Sequence, residues 1–221
     1  MDRCFINPNY ANLLSEAGLD TLDKLLNYQG GEPLSVHPRR GSTRKVTLSD
    51  GTVVFVKIDN FTYFKQVLKD LFLHFRAPAP NSVRERAANG VLRQHNFNTP
   101  ETIAWWTRAK FGYPGAAAMI TVPVPGMPLD KFLLSHQDQQ PLCQKVIETV
   151  AAELSRMLNL GYDWRDHKPE HFFVDVTEDK IGVAIIDLER MRLEQHTIPE
   201  KLKHARLESF LLQCERFRYK K

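Results

Sequence analysis

Cysteine is scarce. Cys4, Cys143 and Cys214 are the only three in 221 residues, odd in number and far apart. They allow no disulfide framework and no Cys-x-x-Cys ligand pair, which favours a reducing compartment. Long apolar runs are missing too. The longest uncharged stretch, Phe111 to Leu129, carries Pro114, Pro123, Pro125 and Pro128 along with three glycines, so it is not a spanning helix. Met1-Asp2-Arg3-Cys4 opens no apolar signal core. A large charge of one sign is also lacking. Thirty Lys+Arg against 26 Asp+Glu leave +4, which suits an anionic ligand or a membrane surface without demanding nucleic acid. The expectation is a soluble or peripherally attached cytoplasmic protein that binds no nucleic acid. No internal repeat or low-complexity segment is visible. What is present is globular composition, 43% hydrophobic and 25% charged, in a chain long enough to bury a core without staples.

Along the chain, residues 10–28 have helical spacing, with Leu13, Leu14, Leu22, Leu25 and Leu26 on one stripe and Gly30-Gly31 as the stop. Pro33 to Ile58 reads as β-structure, its clearest part a hairpin of two strand-like runs around Asp50-Gly51. Phe61 to Phe75 follows helical spacing, with Lys65 and Lys69 opposite a phenylalanine-rich face. Ser82-Val83-Arg84-Glu85 fits a capping box, opening a helix to about His95. Thr102 to Trp106 and Ala116 to Val122 read as strands, with Trp105 and Trp106 as one surface and one core aromatic. Leu142 to Leu160 is a helix closed by Gly161, and HFFVDV with VAIID forms a short hairpin. Pro199 to Lys221 is helical and basic. The layout is α+β and two-lobed: a β-rich N-lobe over 1–122, a Pro/Gly hinge at 123–128, and an α-rich C-lobe over 129–221.

Three features carry chemistry. Lys57 lies in the strand-like run Val54-Phe55-Val56-Lys57-Ile58, where an amine is costly to bury without a partner. On an edge strand the same residue would simply point at water. Trp164-Arg165-Asp166-His167-Lys168-Pro169-Glu170-His171 is a polar loop between a helix stop and a strand, a rigid place to present a base, or else a solvated turn. Asp187 follows Val183-Ala184-Ile185-Ile186; a carboxylate ending an apolar strand needs a cation, a donor or a metal, unless it caps the next turn.

A strand lysine, a helix glutamate, a hinge, an R-D-x-K-P loop and a strand-terminal aspartate together resemble the eukaryotic-type protein-kinase pattern. The chain most resembles the lipopolysaccharide core kinases over nearly its whole length, RRGSTRKVTLSDGTVVFVKI included, with RDHKPEHFFV and IIDLERM as the specific parts. That resemblance implies a protein-kinase-like fold with a reduced C-lobe. It implies ATP and Mg²⁺ as cofactors and a lipid-linked sugar as acceptor, at the cytoplasmic face of the inner membrane. It further implies Asp166 as the catalytic aspartate, Lys168 as the lysine that neutralises the transferred phosphoryl, Lys57 on the α- and β-phosphates with Glu85 as its partner, and Asp187 as metal ligand. His171 stands where protein kinases carry a metal-binding Asn, which is a family trait. The loop before Lys57 has one glycine, Gly41, so phosphate contact there falls to backbone amides together with Arg39, Arg40 or Ser42. Pro123 has no N–H, leaving the Val122 carbonyl and the Val124 amide for adenine.

The chain beyond Asp187 is too short for an activation segment plus a full helical lobe, so a small or lipid-linked acceptor is expected rather than a protein. Phe61–Phe75 could then lie in a membrane interface, or pack on the β-rich lobe. A small-molecule phosphotransferase of the same fold and a nucleotide-binding pseudokinase stand as alternatives. His167-Lys168-Pro169-Glu170-His171 also fits the inverzincin pattern H-x-x-E-H, but Pro169 is incompatible with the helix that chemistry requires.

Overall fold

The computed structural model describes residues 3–37, 41–60, 79–110, 113–178, 180–192 and 197–218. By its contacts the chain divides into two compact units, residues 1–86 with 101–123, and residues 87–100 with 124–221. Residues 87–100, assigned above to the N-terminal half, therefore group with the C-terminal one.

The first unit is built on a six-stranded antiparallel sheet in the order β1-β5-β6-β4-β3-β2. Its strands are β1 (Arg3–Ile6), β2 (Glu32–His37), β3 (Gly41–Thr47), β4 (Val53–Asn60), β5 (Thr102–Lys110) and β6 (Tyr113–Thr121). The expected hairpin is β3–β4. Asp50 closes it by accepting from the Thr52 N–H at 2.8 Å and the Thr52 hydroxyl at 2.7 Å, while Gly51 takes φ +87°. Two-residue periodicity in β4 sends Val54, Val56 and Ile58 into the core, and sends Lys57 and Asp59 together to the other face.

The single helix read over 10–28 is two short ones, α1 (Ala11–Glu16) and α2 (Leu22–Leu26). Gly18 breaks the first at φ +70°, and the Thr21 hydroxyl caps the second by accepting from the Lys24 N–H. The leucine stripe still buries: Leu14, Leu22 and Leu25 join Val46, Val54, Val56, Ile103 and Ile120 in one core. Trp106 is buried there, while Trp105 carries the Arg86 guanidinium 3.7 Å above its ring.

Helix α3 (Asn81–Gln94) opens differently from expectation. The Ser82 hydroxyl is buried with no hydrogen-bond partner among the described residues, so the capping box does not form. Instead Asp59 accepts from the Ser82 N–H at 2.5 Å, capping the helix from the strand. Glu85 is thereby released for Lys57.

The second unit holds α4 (Leu129–Ser135), α5 (Gln140–Asn159), α6 (Glu200–Arg218) and a three-stranded sheet β7-β8-β9. Its strands are β7 (Met127–Pro128), β8 (Phe172–Val176) and β9 (Ile181–Ile185), so the expected small hairpin is β8–β9. Along α5, Val146, Val150, Leu154 and Leu158 are buried at four-residue intervals, and Gly161 at φ +89° ends the turn beyond it. These side chains form one core with Leu129, Trp164, Phe172, Ile185, Leu188 and Phe210. Burial of each such large side chain contributes about 1.5–3 kcal/mol, and Trp164 and Phe172 in that core flank the loop between α5 and β8. No helix among the described residues is long and apolar enough to cross a membrane. The Phe61–Phe75 segment and Arg40 lie outside the described residues.

Candidate active site

In the first unit, strand alternation aims Lys57 away from the core, where its Nζ meets Glu85 Oε2 at 2.5 Å. The lysine side chain is 20% exposed and the glutamate 11%, so the pair is largely withdrawn from water and its attraction is little screened. Asp59, two residues along the same strand face, pins the start of α3 and so fixes where Glu85 stands one turn later. That second residue was readable from the alternation, but the S-x-x-E signature drew attention to the wrong cap.

Gly41 and Ser42 begin β3, paired with Asp59 and Ile58 of β4. Gly41 has φ +134°, and a Cβ there would lie 1.8 Å from the Ile58 carbonyl oxygen, so only glycine fits this approach. The Val122 N–H donates to the Glu101 carbonyl at 3.1 Å, so that N–H is already used within the unit.

In the second unit the loop after α5 is fixed by its own backbone. The Asp166 carbonyl accepts from the Lys168 N–H at 2.9 Å and faces His171 Nδ1 at 2.7 Å. A carbonyl cannot donate, so Nδ1 carries a proton and Nε2 is the ring atom turned toward Asp187. Pro169–His171 forms a 3₁₀ turn that runs directly into β8, and the Ile186 N–H donates back to the His171 carbonyl at 2.9 Å. This last bond couples the loop to the residue before Asp187.

Those bonds gather side chains that are far apart in sequence. Ligand atoms of Asp166, His171 and Asp187 all lie within 4.8 Å of one another. His171 Nε2 stands 3.5 Å from Asp187 Oδ2. Asp187 has φ +57° and ψ +54°, a left-handed conformation that costs a non-glycine residue about 1–2 kcal/mol and that aspartate tolerates better than most. Buried Leu188 holds the turn. Lys168 Nζ is 3.4 Å from Asp166 Oδ1, and Arg190, which sequence reasoning passed over, is 3.5 Å from Asp166 Oδ2. Burial opposes the Lys168 charge, but the Asp166 and Glu170 carboxylates outweigh it and raise the lysine pKa above its ordinary value. Lys168 is therefore a dependable cation at neutral pH.

The H-x-x-E-H zinc reading fails on this geometry. His167 Nδ1 faces the Trp164 carbonyl at 3.1 Å while His171 turns to Asp166, and a 3₁₀ turn rather than one α-helical face separates them.

Chemically, the second unit presents a carboxylate flanked by cations and, beside it, an oxygen–nitrogen cluster suited to a divalent ion. The first unit presents a lysine braced by a glutamate. Groups of these two kinds are what phosphoryl transfer calls for, since charge neutralisation and positioning carry most of its rate.

None of the curated proteins matches this chain in sequence. Among solved structures, WaaP in complex with acyl carrier protein matches over 99% of this chain and 89% of that one, with 18% identity and a TM-score of 0.67. The Rio2 kinase–ADP/Mg²⁺–phosphoaspartate complex from Chaetomium thermophilum matches over 92% of this chain and 59% of that one, with 15% identity and a TM-score of 0.48. The fold is protein-kinase-like, of mixed helix and sheet, with a β-sheet first unit. The model of the lipopolysaccharide kinase (Kdo/WaaP) family matches residues 29–217. The chain therefore belongs to the lipopolysaccharide kinase (Kdo/WaaP) family and is a kinase.

Proposed function

We propose that this kinase transfers the γ-phosphoryl group of ATP to a sugar hydroxyl of a lipopolysaccharide core or related glycolipid, working at the cytoplasmic face of the inner membrane. The single observation that carries the reading is the gathering of Asp166, His171 and Asp187 within 4.8 Å beside Lys168. Family membership supports the acceptor class.

Asp166 is the base. Its carboxylate accepts the proton of the acceptor hydroxyl, a role that contributes roughly 10²–10⁴-fold. Lys168, held cationic beside it, offsets charge on the phosphoryl oxygens. Lys57 grips the α- and β-phosphates, and Glu85 keeps its amine in one position. The backbone at Gly41 and Ser42 and the Arg40 side chain serve the phosphates, while the Val122 carbonyl and the Val124 amide serve adenine. Asp187, with His171 beside it, would hold the metal. The carboxylate oxygens fit a hard divalent ion; an imidazole is a poorer Mg²⁺ ligand than an oxygen, so His171 either completes the set or orients the loop through its bond at Nδ1. Mg²⁺, when bound, supplies charge neutralisation on the phosphates.

The test is transfer of labelled phosphate from ATP to a panel of core oligosaccharides, lipid-linked acceptors and simple sugars. Labelling of core sugars is expected. Labelling of small metabolites alone would replace the acceptor class, and nucleotide binding without transfer to any of them would favour a pseudokinase.

A further inference from the structure

Three residues before Asp166 lies a carboxylate with no role in the reaction. The Asp163 side chain is 3% exposed. A charge buried that deeply costs several kcal/mol in desolvation unless cations match it. Two arginines do so. Arg165 Nε donates to Asp163 Oδ2 at 3.3 Å, and Arg206 Nε donates to Oδ1 at 3.2 Å. Arg165 is 52% exposed and Arg206 23%, so the Arg206 bond is the less screened and the stronger of the two.

Arg206 comes from α6, 43 residues further along the chain. The same helix supplies Phe210, whose ring packs edge-on against Phe172 at 5.1 Å; Phe172 in turn packs on Trp164 at 5.3 Å. The backbone of 163–164 is held from a third direction. The Asp163 carbonyl accepts from the Arg192 N–H at 3.2 Å, and Trp164 forms an antiparallel bridge with Met191. The root of the Asp166 loop is thus tied to α6 by charge and aromatic packing, and to the segment after Asp187 by the backbone.

We propose that Asp163 and Arg206 are a positioning pair: the C-terminal helix, through this ion pair, sets the backbone from which Asp166 projects and its register with Asp187. Neither residue touches substrate. The role rests on the reading of Asp166 as the base, since a displacement near 1 Å at that carboxylate costs about 10²-fold in rate.

The test compares the full-length wild type with Arg206→Gln and Arg206→Lys, each assayed well below its own melting temperature. Arg206→Gln is expected to lower kcat at least about tenfold while KM for ATP stays within about twofold, and Arg206→Lys to recover part of the loss. Backbone amides 164–168 should exchange hydrogen faster in Arg206→Gln, with those of α5 unchanged. A folded Arg206→Gln variant with wild-type kcat and unchanged exchange at 164–168 overturns the proposal, whatever its melting temperature. Should Arg206→Gln fail to fold, Arg206→Lys carries the same comparison with a smaller expected loss. If the wild type transfers phosphate to no acceptor, the functional reading has failed, and the exchange comparison alone decides the pair.

Discussion

Single residues here are defined by what surrounds them more than by their own chemistry. Asp166 and Asp163 are three apart, yet one faces Lys168 and Arg190 while the other is sealed under Arg206. Asp166→Ala is expected to abolish phosphoryl transfer, by about 10²-fold or more, while nucleotide affinity by calorimetry stays within about twofold; undiminished turnover would remove Asp166 from the mechanism. Lys57→Ala should do the reverse in kind, raising KM for ATP, because it removes a phosphate contact and leaves Glu85 without its 2.5 Å partner. The three thiols separate in the same way. Cys4 is exposed, whereas Cys143 is buried with its S–H donating to the His136 carbonyl, and burial pushes the Cys214 thiol up to about 12. Since the thiolate is the reactive form, a disulfide reagent should modify one thiol rapidly in the folded protein and the other two only in denaturant. Rapid reaction of all three would contradict the burial of Cys143 and Cys214.

Elements are fixed by punctuation. Strand alternation and the α5 repeat were legible as patterns, because they need only a periodicity and a place to bury it. The helix ends were less so. Gly18 splits the leucine stripe, and Asp59, on a neighbouring strand, replaces the Glu85 carboxylate as acceptor for the Ser82 N–H at the start of α3, which leaves Glu85 to pair with Lys57. Gly126 is a further case. It has φ +88°, and a Cβ there would lie 2.2 Å from the Val174 carbonyl oxygen, in the segment where β7 joins β8. Gly126→Ala meets both a conformational and a steric penalty, so a loss of about 2 kcal/mol or more is expected in denaturant titration. A variant as stable as the wild type would mean the β7–β8 contact is not as close as described.

At the scale of the whole molecule, two hydrophobic cores serve two units. Among the described residues, Leu25 is fully buried in one cluster and Leu154 in the other. Each Leu→Ala change should cost about 2–5 kcal/mol, and the double variant should lose the sum to within about 0.5 kcal/mol. A larger departure from additivity would show that the cores are energetically coupled. Family and fold class were legible through the resemblance of the R-D-x-K-P loop and the strand-terminal aspartate, and of the residues singled out with them the folded chain brings Lys57 to Glu85 and gathers Asp166, His171 and Asp187 beside Lys168. Amphipathic period likewise settled where α5 and the two hairpins lie. Pairing was left to the folded chain. A capping box and an ion pair compete for Glu85, and Asp163 is an ordinary loop acid until Arg206 arrives from the far end of the chain. The sequence determines which groups are available; tertiary structure decides which of them meet, because burial removes water as the alternative partner and so makes one neighbour worth far more than another.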